Sequence, residues 1–291
     1  MAKNRPANFS FSGFLKLTRF PNLIIIALTQ YFTAIFLVGT QNQWKIMLSD
    51  YKLLLISIST VLIAAAGYII NDYYDVKIDF VNKPERVVVD KLLKRRVVMA
   101  AHSILNFAGI GIGFLVSFKI ALINFLSALL LWLYSNHLKR LPFVGNVAVA
   151  LLTGAALLVI AIYYQKNMFL VLVYAIFAFS ITLIREIIKD IEDMKGDTVF
   201  GCRTLPVIWG IRKTKMIIYL LSSVFTALLF YLASVLDNPT LTIFFAVLII
   251  PLSHFIYRLI TADTKKDFSY LSTYCKILML SGILSMAFFS S

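Results

Sequence analysis

The chain has 291 residues, of which 60% are hydrophobic and 14% charged; its mean hydropathy is +0.86 and its formal net charge is +14. A soluble domain is about half apolar and about a quarter charged, so this much apolar surface excludes a soluble enzyme or a nucleic-acid module. Cys202 and Cys275 form neither a C-x-x-C pair nor a disulfide framework. Lys3, Arg5, Lys16 and Arg19 precede a long apolar run with no small-residue cleavage site, so the N-terminus does not read as a cleavable signal.

A bilayer core about 30 Å thick takes about 20 residues of helix. Nine apolar runs meet that requirement, at 21–39, 53–72, 98–116, 120–136, 145–164, 168–186, 215–235, 240–259 and 272–289, with a tight turn around Lys119 between the third and fourth. The N-terminal segment and the loops 73–97, 137–144, 187–214 and 260–271, taken with the flanking Arg185, Lys215 and Arg258, hold 23 of the 28 Lys and Arg. Lys45, Lys52, Lys119 and Lys166 occupy the other set of loops, and Lys276 lies within the ninth span. This asymmetry predicts a cytoplasmic N-terminus, long loops on the same side and an external C-terminus. The basic charge is then a topology signal, with some attraction to anionic membrane lipids.

The carboxylates carry the chemistry. Ten of the 14 Asp and Glu fall in two cytoplasmic segments, one from Asn71 to Asp90 and one from Glu186 to Asp197. Each contains D-x-x-D-x-x-x-D, as Asp72, Asp75, Asp79 and as Asp190, Asp193, Asp197. Positions i, i+3 and i+7 span an arc of about 60° on a helix, so each motif makes one acidic stripe if the span continues out of the membrane. Both stripes follow spans that run outside to inside, and so fall at helix C-termini, where the macrodipole disfavours negative charge. Divalent ions held by carboxylate oxygens and substrate phosphates are the natural compensation. Lys77, Lys83, Arg86, Lys139, Arg140, Arg185, Lys189 and Arg203 share that membrane face and suit a polyanion such as diphosphate, whose allylic form adds an apolar tail. Lys91, Lys94, Arg95 and Arg96 are assigned to positive-inside bias alone.

The two motifs on nine spans resemble the UbiA superfamily of intramembrane prenyltransferases. The likeness extends to Asn82-Lys-Pro84-Glu-Arg86 and to Tyr134-Ser-Asn-His-Leu-Lys139-Arg140 with Gly145-Asn146. Asn82-x-Pro84-x-Arg86 resembles the branch that holds chlorophyll synthases and the archaeal ether-lipid enzymes, and the segment Arg185 to Asp197 is most similar to the second of these. After Arg86 that branch continues with a proline-rich turn, whereas this chain reads Val87-Val88-Val89-Asp90.

The resemblance implies a single all-α polytopic membrane domain over residues 1–291, nine transmembrane helices around a central cavity with cytoplasmic cap loops, in the cell inner membrane. It implies catalytic roles for Asp72, Asp75, Asp79, Asp190, Asp193 and Asp197, the last five of them as ligands of two Mg²⁺ ions bridged by diphosphate. Asp72 is either a further ligand or an aid to the acceptor. Asn71, Lys83, Arg86, Tyr134, Lys139, Arg185 and Lys189 would bind substrate. The reaction implied is transfer of a prenyl group, geranylgeranyl best, from its diphosphate to a lipophilic acceptor. The hydroxyl of geranylgeranylglyceryl phosphate fits first and an aromatic acceptor second. Tyr68, Tyr73, Tyr74 and Tyr134 are candidates to face an allylic carbocation.

Rival classes fit less well. A cation transporter places ionisable groups deep in its spans, and here no Asp or Glu does so. A CDP-alcohol phosphotransferase follows its first D-x-x-D with Gly and Ala-Arg, where this chain has Val76-Lys77-Ile78. Gly109-x-Gly111-x-Gly113 reads as close helix packing, Pro251 as a kink, His254 with Arg258 as a polar contact between helices, and Thr198 to Pro206 as a loop capping the site.

Overall fold

The computed structural model describes residues 10–39, 44–235 and 239–289. Both chain ends, and with them Lys3 and Arg5, lie outside the described residues. A short α1 (Phe11–Leu17) is capped by Ser10, whose hydroxyl accepts the Gly13 N–H at 3.2 Å. It turns at Arg19, which is left-handed (φ 51°, ψ 51°), into α2 (Phe20–Phe32), prolonged by a π-helical segment Thr33–Val38. Then follow α3 (Trp44–Ser49), α4 (Tyr51–Asn82), α5 (Arg95–Val116), α6 (Phe118–Asn136), α7 (Val144–Tyr164), α8 (Met168–Val199), α9 (Leu205–Val235), α10 (Pro239–Thr261) and α11 (Lys265–Ser285). Among the described residues nine helical segments are long and apolar enough to cross a membrane, which matches the nine expected spans.

The helices α4 and α8 have 32 residues each, about 48 Å at 1.5 Å per residue. That exceeds an apolar core of about 30 Å by several turns, so the last turns of both helices extend beyond the expected ends at 72 and 186 and carry the aspartates with them. Asp50 caps the start of α4 by accepting the Lys52 N–H at 2.9 Å and ties it to the end of α7 through the Tyr164 hydroxyl. Two expectations shift. The turn between the third and fourth spans falls at Ser117, whose hydroxyl caps α6, and Lys119 lies within the first turn of that helix. The seventh span starts earlier than 215, but it breaks at Gly210, whose φ of 76° favours a residue without Cβ.

Packing sorts the small residues as expected. A Cβ on Gly109 would stand 2.9 Å from Ile63, and one on Gly113 2.8 Å from Asn124, whose amide donates to the Gly109 carbonyl at 3.0 Å. Gly111 faces open space. His254 lies 3.4 Å from the Tyr270 hydroxyl and Arg258 covers the same ring, which joins α10 to α11. Val87, Val88 and Val89 are buried with Leu17, Ile69, Val76, Leu93 and Val98. The chain reverses at Asp90 (φ 64°), a conformation that Asp tolerates. The valines that depart from the expected proline-rich turn thus form an apolar plug between α1, α4 and α5. A separate apolar recess between α8, α9, α10 and α11 is lined by Val173, Phe177, Phe225, Leu229 and Phe244, toward the helix ends opposite the aspartates.

Candidate active site

The two acidic stripes face each other. Asp79 lies within electrostatic reach of Asp193, and Asp197 within reach of Asp75. What sets their register is Asn82, the last residue of α4. Its amide donates to the Asp193 carbonyl at 2.9 Å and accepts the Gly196 N–H at 2.8 Å. Its own carbonyl accepts from Lys265 at 2.6 Å, which brings the start of α11 to the same point. Gly196 is required there, because a Cβ would lie 2.4 Å from the Asn82 amide nitrogen.

Each stripe is partnered position by position. Arg19 holds Asp72 at 2.8 Å, and Asn146 donates to Asp190 at 2.8 Å. The middle aspartate of each motif takes an ammonium. Lys139 reaches Asp75 at 2.6 Å and Asn71 at 3.3 Å; Lys83 lies 2.8 Å from Asp193 and 3.1 Å from Glu192. The third aspartates are the least neutralised. Asp197 is buried and, among the described residues, its carboxylate accepts only from the Thr204 hydroxyl at 3.2 Å, while no side-chain hydrogen bond or ion pair among them holds the Asp79 carboxylate.

Six carboxylates with only Lys83, Lys139 and Arg19 paired to them are a hard-oxygen donor set short of positive charge. That set fits a divalent ion of the Mg²⁺ type, which takes a few carboxylates and completes its shell with water and phosphate oxygens. Among the described residues no three His, Cys, Asp or Glu converge on one point as a ready-made cage. The side chains of Lys83 and Lys139 stand between the carboxylates instead.

Four further residues were not singled out as site residues by the sequence. Arg19 reads there only as positive-inside charge. In the fold it lies 5.0 Å above the Tyr68 ring. Burial disfavours its charge, but Asp72 and Tyr68 outweigh that and hold its proton more firmly than usual. Glu186 is buried and accepts from Arg185 at 2.6 Å and from Lys189 at 2.8 Å. Asn146 lies in the first turn of α7, and Thr204 in the loop that follows α8. Polar side chains beside each motif were the only signal for them.

Some expected members are placed elsewhere. Arg86 belongs to a 3₁₀ turn, Pro84–Arg86, is 71% exposed and lies 3.8 Å from Glu85, so the fold does not bring it to the aspartates. Lys77, Arg140 and Arg203 are also exposed. Of the four tyrosines, Tyr68 and Tyr73 have their ring faces covered by Arg19 and Arg95, and Tyr74 meets the Tyr73 ring edge to face. Tyr134 is the one that sits within electrostatic reach of Glu186, Asp190 and Asp75. The expected cap is present from Phe200 onward. Cys202 N–H donates to the Asp197 carbonyl and Arg203 N–H to the Arg140 carbonyl, at 2.9 and 2.8 Å. Burial, and then Asp197, push the Cys202 thiol above its usual pKa.

Fold and site together define a polytopic helical membrane protein with a paired-aspartate centre at one end of its bundle. The model of the UbiA prenyltransferase family matches residues 25–281. The chain belongs to that family, and is an integral membrane prenyltransferase.

Among its relatives is digeranylgeranylglyceryl phosphate synthase of Methanosphaera stadtmanae, 32% identical over 82% of this chain and 88% of that one. The protein of the same name in Saccharolobus solfataricus is 32% identical over 95% and 96%. A solved structure from work on digeranylgeranylglyceryl phosphate synthase in membranes has a TM-score of 0.73 at 26% identity, and covers 96% of this chain and 98% of that one. A UbiA homologue from Archaeoglobus fulgidus, solved with GPP and Mg²⁺, shares the fold with a TM-score of 0.65 at 14% identity, over 94% and 99% of the two chains.

Proposed function

We propose that this protein transfers a geranylgeranyl group from its diphosphate to the hydroxyl of geranylgeranylglyceryl phosphate, in a Mg²⁺-dependent reaction at the cytoplasmic side of the cell inner membrane, with the whole chain acting as one domain. The observation that carries the reading is the pair of facing aspartate stripes with a lysine at the middle carboxylate of each, in a chain whose relatives bear the name of that activity.

Asp75, Asp79, Asp190, Asp193 and Asp197, with the Asn71 carbonyl beside them, would hold two Mg²⁺ ions shared with the diphosphate. Bound there, the ions supply Lewis-acid neutralisation of the leaving group. Lys83 and Lys139 turn from their carboxylates to diphosphate oxygens and hold the leaving group in line. The allylic C–O bond breaks with its electron pair on diphosphate, and Tyr134 faces the cationic prenyl carbon. The acceptor hydroxyl oxygen forms the new ether bond. Its proton passes to the departing diphosphate, since the Asp72 carboxylate is already engaged by Arg19 at 2.8 Å.

The test uses protein in detergent with radiolabelled geranylgeranyl diphosphate, offered geranylgeranylglyceryl phosphate and a panel of aromatic acids. A labelled ether lipid that disappears with chelator is the expected product. A labelled aromatic product would move the protein to another branch, and absence of any product or diphosphate release would overturn the reading.

Lys139→Met gives a second check that does not depend on turnover. Removing one partner of a buried ion pair leaves Asp75 uncompensated, a cost of about 3 kcal/mol. The variant should therefore melt below wild type in chelator and gain more from MgCl₂ than wild type does. Equal gains would disconnect Lys139 from the cation site.

A further inference from the structure

On the membrane side of the aspartates the bundle holds a second charged cluster of opposite sign. Arg185, Glu186 and Lys189 lie on α8 and Lys276 on α11. Both oxygens of Glu186 are taken, one by Arg185 Nη1 at 2.6 Å and one by Lys189 Nζ at 2.8 Å. Arg185 Nε is buried and has no hydrogen-bond partner. Lys276 is half-buried eleven residues into α11, and its strongest charged neighbours are Arg185, Lys189, Arg19 and Arg86, all cations. Among the described residues no carboxylate pairs with it.

Arg185, Lys189 and Lys276 meet Glu186 here, and Lys189 also lies within electrostatic reach of Asp190, so positive charge is still left in excess; Arg19 adds nothing because Asp72 matches it. Such an excess inside membrane helices is costly and marks a ligand site. Resting on the acceptor proposed above, we infer that Arg185, Lys189 and Lys276 bind the phosphomonoester of the lipid acceptor, at a subsite separate from the diphosphate.

Charge and position both favour that occupant. A phosphomonoester near pH 7 carries close to two negative charges and offers several oxygens to the three cations, whereas an aromatic carboxylate brings one charge and two oxygens. The free Nε–H of a guanidinium beside a flexible ammonium suits tetrahedral phosphate oxygens. Arg185 precedes Asp190 by five residues, about 7.5 Å along α8. That places the cluster deeper than the aspartates, where a head group anchored by lipid chains arrives from the bilayer. The diphosphate already has Lys83 and Lys139.

The test pairs a variant with a substrate deletion. Wild type and Lys276→Met are assayed with geranylgeranyl diphosphate as donor and with geranylgeranylglyceryl phosphate or its dephosphorylated alcohol, geranylgeranylglycerol, as acceptor. Lys276→Met should raise KM for the phosphorylated acceptor about tenfold and leave donor KM within about twofold. With the alcohol the variant and wild type should be equal, because the phosphate and Lys276 act as one unit. Lys276→Arg should restore most of the loss. A rise in donor KM would make the cluster part of the diphosphate site. Additive losses, or an unchanged acceptor KM from a lysine that only snorkels to the interface, would overturn the assignment while leaving the acceptor intact. A wild-type enzyme that prenylates only aromatic acids would refute the acceptor itself, and this subsite with it.

Discussion

Asp75→Ala and Asp193→Ala should each lower turnover by at least about 10³-fold, the scale expected when a preorganised group that stabilises developing charge is removed. The two aspartates occupy the same position in their motifs and hold the same kind of partner, Lys139 at 2.6 Å and Lys83 at 2.8 Å. Loss of either carboxylate removes an oxygen ligand for the proposed ions and also frees an ammonium that was held in place. Both effects fall on the leaving group. Because breaking a partly buried ion pair also destabilises the fold, the alanine variants should be accompanied by Asp75→Asn and Asp193→Asn, which keep side-chain shape. Size-exclusion profiles and melting curves show whether each variant is folded. A folded variant that turned over at near wild-type rate would remove that motif from the chemistry.

Gly196→Ala should be strongly damaging for a change of one methyl group. The new Cβ would meet Asn82 Nδ2 at 2.4 Å and its Cγ and Oδ1 at 2.7 Å. Overpacking a tight contact costs about 1–3 kcal/mol. Displacing Asn82 would also lose two hydrogen bonds to α8, worth about 1 kcal/mol each. The melting temperature should fall by roughly 10 °C. Turnover should fall by about 10²-fold, because the two stripes lose their register and a 1 Å misplacement of reacting groups has that effect. Asn82→Ala removes the obstacle and the hydrogen bonds together. If the contact is the cause, the double variant Asn82→Ala, Gly196→Ala should be no less stable than Asn82→Ala alone. Additive losses would place the strain elsewhere.

These two expectations depend on the sequence to different degrees. The equivalence of Asp75 and Asp193 is legible from their identical spacing, since helical periodicity puts i, i+3 and i+7 on one stripe wherever the helix runs. The clamp at Asn82 is not. Asn82 and Gly196 are 114 residues apart, and nothing local in either segment requires the other. Arg86 shows the same limit in reverse. Its place beside the first motif suggests a site residue, but a single 3₁₀ turn after α4 directs it to the surface. Tyr68 and Tyr73 have the aromatic character that the chemistry asks for, yet Arg19 and Arg95 already cover their faces.

The sequence by itself determined the solvent of this protein, the number of its membrane helices, the two acidic stripes and the basic face on which they lie. Hydropathy, periodicity and charge asymmetry are properties of a segment, and survive without knowledge of its neighbours. Only the tertiary structure decided which cation meets which carboxylate. It set Lys139 on Asp75 across 64 positions and Lys83 on Asp193 across 110. It also closed Arg185 and Lys189 around Glu186, and brought Lys276 from another helix within electrostatic reach of them, with no carboxylate paired to it among the described residues. Those pairings follow from how α4, α8 and α11 dock, and docking is set by close packing along whole helix faces rather than by the charged residues themselves.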